Sequence, residues 1–414
     1  MISTRFRPPM GRLRISLFRA GCIYLYLYLV LFGWSQAVIA SEVTHVPEVP
    51  DGGAQAWLVT ISPGEVYFER FGHNAIWLRE PALGLDHTFN FGFFDFEQED
   101  FFLRFMRGRM LYFSVAQPAI AEFEFYRQEN RGIRGQKLNL TPQQYQQLRD
   151  YLLNEIQPEN RNYRYDYYLN NCSTRIRDAL DIALDGELYT RTGQAPANLN
   201  FRDQTRRLTQ MQFWYYLGLE TALGFPVDRA VTRWDEMFIP MVLADEIAAM
   251  SAATAGQGKP LVALDTILFT STAPAPTASP TVIWHRYLLL GLLLTAVAWL
   301  SGKFMPPVWL DGLCRAWVLI NTTVGLILAA LWLLTDHEVS SNNANLLLFN
   351  PLLLLALIPG LQRIGALILI GGNVLAFVLL MLPKHQYNLD VIALLSPINL
   401  AVALYLLRVK PERI

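Results

Sequence analysis

Cysteine is scarce in this chain, three among 414 residues, and the three are far apart. Cys22 lies in an N-terminal apolar run and Cys314 in a C-terminal one, so Cys172 is alone in the long segment between them and has no disulfide partner there. An excess of charge of either sign is also missing. There are 34 Lys and Arg against 35 Asp and Glu, and the net charge is −1. That balance lacks the basic surplus with which a nucleic-acid binder displaces counterions, so no nucleic acid is expected as a partner. The sequence contains no Gly-x-Ser-x-Gly, no His-Glu-x-x-His, no Cys-x-x-Cys and no Gly-rich phosphate loop. These absences disfavour metal and nucleotide chemistry, and neither a metal nor a cofactor is expected.

What the chain has in excess is apolar surface: 52% of residues are hydrophobic, and the mean hydropathy is +0.23. The surplus concentrates after Thr281. Runs at 282–300, 313–334, 346–358, 364–382 and 391–407 read as five membrane segments, since a crossing helix takes about 20 residues. The third is short and broken at Asn350-Pro351. Counting it as a crossing puts Arg408, Lys410 and Arg413 on the side of Lys303, Arg315 and Arg363, the arrangement that the positive-inside rule favours. The outward loops 335–345 and 383–390 then face the side of Cys172, where Asn342, Asn343, Asn345, His337, Lys384, His385 and Asn388 are within reach of phospholipid head groups, although such residues are more often ordinary solvated loop positions.

At the other end, Arg5, Arg7, Arg12, Arg14 and Arg19 precede an apolar run at 21–34 and the small-residue end Val38-Ile39-Ala40. This is a secretory signal pattern, cleaved or kept as an anchor, and it exports the segment after Ala40. Cys22 starts the apolar run instead of coming after it, so it is not read as a lipidation site. The expected organisation is a signal peptide at 1–40, an exported globular domain at 41–270, a Pro-rich linker at 271–281 and a helical membrane domain at 282–414.

Within the globular segment, β-rich runs at 56–61, 73–78 and 87–91 come first. Helices come later: one opened by Thr141-Pro142 and running to about 156, one capped by Ser173 or Thr174 and running through Leu184, and two more at 202–223 and 235–250. The fold class is α+β. Cys172 falls at a helix start, where the dipole favours a thiolate. Three histidines lie in this segment, His45, His73 and His87. His73, at a strand start after Gly72, is the candidate base, with Asn90 or His87 to orient it as the third member of a triad. Taken alone, an isolated Cys and an isolated His are more often structural than catalytic.

A set of blocks shifts that balance: Ser62-Pro63-Gly64, Phe71-Gly72-His73-Asn74-Ala75-Ile76, Phe89-Asn90-Phe91-Gly92-Phe93-Phe94-Asp95-Phe96, and Tyr163-Arg164-Tyr165 through Asn171-Cys172-Ser173-Thr174-Arg175 with Asp178. In order and spacing they resemble the Lnb N-terminal periplasmic domain family, whose named member is a bacterial lipoprotein N-acyltransferase. The resemblance implies a permuted papain/NlpC-like thiol domain, with His before Cys as in lecithin:retinol acyltransferase. It also implies a location in the bacterial inner membrane with the catalytic domain in the periplasm. Carried over residue by residue, Cys172 is the nucleophile and His73 the base. Asn90 matches the Phe-Asn-Phe-Gly block, while His87 is the residue that analogy with the retinol enzyme suggests. The implied activity moves an acyl group from a membrane phospholipid, through a Cys172 thioester, to the N-terminal amine of a lipoprotein. A papain-like hydrolase using the same pair, or an envelope scaffold using neither residue, remains the alternative.

Overall fold

Alternating and β-branched runs form the early strands, and the computed structural model, which describes residues 53–250 and 260–408, extends each by a residue or more. The expected signal segment, Lys410 and Arg413 lie outside the described residues. In chain order the globular part comprises β1 (Gln55–Ile61), β2 (His73–Glu80), β3 (Leu85–Phe93), α1 (Phe101–Met106), β4 (Leu111–Pro118), α2 (Ala119–Gln128), β5 (Ile133–Leu138), α3 (Pro142–Glu155), β6 (Asn162–Arg164) and α4 (Cys172–Ala183). Next come α5 (Glu187–Thr192), α6 (Phe201–Thr209), α7 (Phe213–Ala222), α8 (Arg233–Glu236), α9 (Pro240–Ala249) and β7 (Val262–Phe269). The class is α+β, as expected. Its seven-stranded sheet has the order β6-β4-β3-β2-β1-β5-β7, and every pairing is antiparallel.

Period-two alternation gives this sheet two apolar faces. Leu58, Ile76, Phe89 and Phe91 pack on Leu148 and Leu152 of α3 and on Ile176 and Leu180 of α4. Trp57, Val59, Ala75 and Trp77 pack on Ala119 and Tyr126 of α2. The helix that starts the Cys172 segment is capped by neither Ser173 nor Thr174. Asn171 caps it: its Oδ1 accepts the Thr174 N–H at 2.9 Å, while Thr174 Oγ1 accepts the Asn171 N–H at 2.7 Å. This reciprocal capping box makes Cys172 the first helical residue. The two later helices each break. That at 202–223 divides into α6 and α7 around Met211-Gln212, and that at 235–250 divides at Pro240, whose ring holds Ile239 in an extended conformation.

Residues 270–283 contain neither helix nor strand, but they are not a free spacer. Arg207 donates to the Thr277 carbonyl at 3.2 Å, and Gln210 Oε1 accepts the Thr281 N–H at 2.9 Å. Beyond them, α10 (Trp284–Phe304), α11 (Pro307–Leu333), α12 (Gln362–Leu379) and α13 (Leu389–Arg408) are long and apolar enough to cross a membrane.

The third apolar run differs from the other four. It forms two 3₁₀ helices, Ala344–Leu347 and Pro351–Leu357, because Pro351 removes a backbone donor and Asn350 turns out of helical conformation. Irregular backbone at membrane depth needs internal hydrogen bonds. Asn321 and Asn399 both donate to the Leu348 carbonyl, at 2.9 and 3.2 Å, and Asn321 Oδ1 accepts the Asn350 N–H at 2.9 Å. The carbonyls of Leu347 and Phe349 lie directly over Gly372 of α12 and Gly325 of α11, where no side chain intervenes.

Asn343, Asn345 and Asn388 of the outward loops are buried and turned into the protein, while Asn342 is exposed. Asn343 donates to the carbonyls of Thr221 and Ala222, Asn345 to that of Glu220, and Gln386 to that of Leu223, all within 2.8–3.0 Å. These buried amides satisfy the open C-terminal carbonyls of α7 and clasp the globular part to the membrane helices. Charges reinforce the clasp: Arg206 of α6 pairs with Glu220 at 2.5 Å and faces Asp390 of α13 at 3.6 Å.

Candidate active site

Strand register decides which side chains meet. Ala75 of β2 pairs with Asn90 of β3, so His73, two residues earlier, shares a sheet face with Asn90. Leu78 pairs with His87, which puts His87 on the other face and away from His73. Its Nδ1 instead accepts the Asp86 N–H at 3.3 Å. His73 Nε2 lies 2.8 Å from Asn90 Oδ1.

The next contact fixes the proton. Asn90 Nδ2 donates to Glu122 Oε2 at 2.8 Å, so the amide must turn its oxygen toward the imidazole. An amide oxygen only accepts, hence the hydrogen is on Nε2 and Nδ1 keeps its lone pair, the form a general base requires. Glu122 also accepts from the Thr88 hydroxyl. Sequence reasoning did not select Glu122. A signal existed: it lies on the inward stripe of α2 with Ala119 and Tyr126, a position where a carboxylate needs a partner.

Cys172 reaches the same corner from the opposite face of the sheet. Ser173 Oγ lies 2.6 Å from Met237 O and 2.9 Å from Asn74 Oδ1, its one hydrogen shared between the two acceptors, which pins the first turn of α4 to β2. The backbone N–H groups of Asn74, Ser173 and Cys172 itself lie close enough to the sulfur to favour its anion. Gly92, with φ of +93°, comes so close that a Cβ there would stand 3.3 Å from Cys172 Cβ. Among the described residues no hydrogen bond joins the sulfur to the imidazole. The thiol lies instead against the peptide group that links His73 to Asn74.

Both side chains are partly accessible, yet loss of hydration dominates their titration. Burial pushes the Cys172 thiol up to about 11 against the pull of the three N–H groups and of Arg131. Burial lowers His73 to about 4; Asn90 opposes that shift and the Arg131 charge adds to it. At neutral pH both groups are therefore uncharged. The pull of the dipole toward a helix-start thiolate, about 0.3–1 kcal/mol, is smaller than the cost of dehydrating an anion.

Arg131 is held close by the Ser-Pro-Gly block: its Nε donates to the Ser62 carbonyl at 3.0 Å, and its guanidinium pairs with Glu69 at 3.5 Å. No group of three or more His, Cys, Asp or Glu among the described residues is arranged to hold a metal. The corner brings together a thiol, an imidazole held in one tautomer and backbone N–H groups, the kinds of group that thiol-based acyl transfer uses. No curated protein and no solved structure gives a significant match to the chain. Residues 54–211, which include His73, Asn90, Glu122 and Cys172, match the family model of the Lnb N-terminal periplasmic domain, and four helices long and apolar enough to cross a membrane follow the matched segment.

Proposed function

We propose that the protein is a membrane-anchored thiol acyltransferase that moves a fatty acyl group from a phospholipid to the N-terminal amine of a lipoprotein. The observation that carries this reading is the chain Glu122–Asn90–His73, which leaves a neutral imidazole with a lone pair on Nδ1, one residue along β2 from Asn74, whose backbone N–H lies close to the Cys172 sulfur. His73 takes the thiol proton as the sulfur attacks the ester carbonyl. The carbon–oxygen bond then breaks, and the lysophospholipid alcohol leaves with the proton that His73 returns. In the second half an uncharged amine attacks the thioester, His73 accepts its proton, and the thiol leaves with that proton as the amide forms. The N–H groups of Asn74 and Cys172 are the available donors for the oxyanion. Because proton transfer accompanies attack, no buried charge has to be maintained at rest.

Mass spectrometry tests the reading. Purified protein mixed with phospholipid vesicles should gain one fatty-acyl mass on the Cys172 peptide, hydroxylamine should remove it, and Cys172→Ala should gain none. A peptide with a free N-terminal diacylglyceryl-cysteine should discharge the adduct into an N-acylated product. Discharge to free fatty acid at the same rate without that peptide makes the protein a hydrolase, and no adduct from any membrane lipid sinks the lipid-acyl reading.

A further inference from the structure

We infer that the globular domain rests on the phospholipid surface through a belt of aromatic side chains, centred on α1 and the 3₁₀ turn Tyr67–Glu69, whose two ends are fixed to membrane helices. At one end α1 meets the loop after α11: the His337 ring and the Phe105 carbonyl are 2.9 Å apart, and the Asp336 N–H donates to the Arg107 carbonyl at 2.8 Å. At the other end Phe213 of α7 stacks on Tyr287 of α10 at 5.9 Å, and Tyr216 donates to Asp390 of α13 at 2.5 Å. Between these anchors the rings run almost without a break. Phe105 packs on Phe101 at 6.5 Å, Phe101 on Phe94 at 5.9 Å, and Phe94 on Phe68 at 5.7 Å, while Tyr67 meets Tyr215 at 5.3 Å.

Both anchors sit at the domain-side ends of helices that cross the membrane, so the belt lies at the depth where lipid head groups begin. Its outer side chains have no protein cover. Phe68 is 56% exposed, Phe96 60%, Phe102 69%, Met106 59% and Trp214 78%. An apolar surface of this kind is unfavourable in water and suits the membrane interface, where aromatic rings concentrate. Arg107 is exposed beside it and suited to lipid phosphates, while the exposed Arg109 and Arg164 pair with Asp336 at 2.7 and 3.4 Å. The inner layer leads toward the thiol: Phe94 packs on Tyr112 at 5.0 Å and Tyr112 on Tyr165 at 4.2 Å, and Gly92, two residues before Phe94, lies against Cys172. Docking stands on this geometry by itself. Only the further step, in which an acyl chain tracks the aromatic layer to Cys172, rests on the acyltransferase reading.

The test places the photoreactive residue p-benzoylphenylalanine at Phe102 or Trp214 in the full chain, reconstituted in vesicles of phosphatidylethanolamine and phosphatidylglycerol. Leu83, 66% exposed in the turn at the far end of β2 from His73, is the control site. After irradiation, phospholipid adducts at 102 and 214 should exceed those at 83 at least tenfold. Equal yields, or covalent dimers in place of lipid adducts, overturn the docking. In the same vesicles Phe102→Glu with Met106→Glu should slow acyl loading of Cys172 at least tenfold and leave its alkylation by iodoacetamide unchanged. Unchanged loading overturns the acyl route. A wild-type protein that never loads refutes the acyltransferase reading, while the photo-adducts still decide the docking.

Discussion

At the scale of single residues, the resting charge of the thiol separates two kinds of cysteine chemistry. A thiolate–imidazolium pair is reactive over a broad neutral range, whereas Cys172 at about 11 and His73 at about 4 are both neutral between those values. At pH 7 the thiolate is roughly one part in 10⁴. Alkylation by iodoacetamide should therefore rise close to tenfold per pH unit from 7 to 10, and a plateau already reached near pH 6 would show an ion pair instead. Asn90→Ala separates orientation from ionisation. Without the amide the imidazole adopts either tautomer, so acyl loading should lose part of the ~10²–10⁴-fold that a positioned base contributes. Alkylation at pH 10, where the thiolate forms unaided, should not change; a parallel drop in both would mean that the corner itself has collapsed.

At the scale of elements, the third apolar run is the least regular part of the membrane half, and two glycines show what holds it. A Cβ on Gly372 would collide with the Leu347 carbonyl, while a Cβ on its neighbour Gly371 would meet nothing within 4 Å. Gly372→Ala should destabilise the protein by about 1–3 kcal/mol through overpacking. Gly371→Ala should be neutral or stabilising by about 0.5–1 kcal/mol, because glycine inside a helix costs backbone entropy. Thermal unfolding in detergent compares the two, and similar melting temperatures would mean that the 3₁₀ segment is not packed through that slot. The same elements show what the sequence carries and where it stops. Alternation marks β1, β2 and β3, and Thr141-Pro142 marks the start of α3, because these signals are local. The apolar content of 346–358 is local as well, but its conformation depends on Asn321 and Asn399, which are distant in sequence and meet it only in the packed bundle. Glu122 was missed for that reason: its partner Asn90 is 32 residues away, across a helix–sheet contact. The choice of Asn90 over His87 likewise needed the register, which periodicity along one strand does not supply.

For the whole molecule, the side on which each loop emerges depends on whether the irregular segment crosses the bilayer or turns back. Its first residues belong to the domain side, since Asn345 donates to the Glu220 carbonyl. Its last residues belong to the opposite side, where Ala356 and Leu357 line a small cavity with Asp311 and Arg315 from the start of α11 and Tyr405 near the end of α13. A segment that begins at one end of the bundle and finishes at the other has crossed, although it is not a long helix. We propose that the path makes five passes, which would gather Arg315, Arg363 and Arg408 at one end, away from the clasp, as the positive-inside rule asks of a cytoplasmic face. Reporters that distinguish cytoplasm from periplasm, fused after Gly258, Ser341, Gly360 and Ile414, should read outside, outside, inside and inside. The fusion at Gly360 is decisive, because it comes directly after the 3₁₀ segment. Outside readings at both Gly360 and Ile414 would make the segment re-entrant and reverse α12 and α13, which would place Arg363 and Arg408 against the charge asymmetry and would separate Arg206 from Asp390.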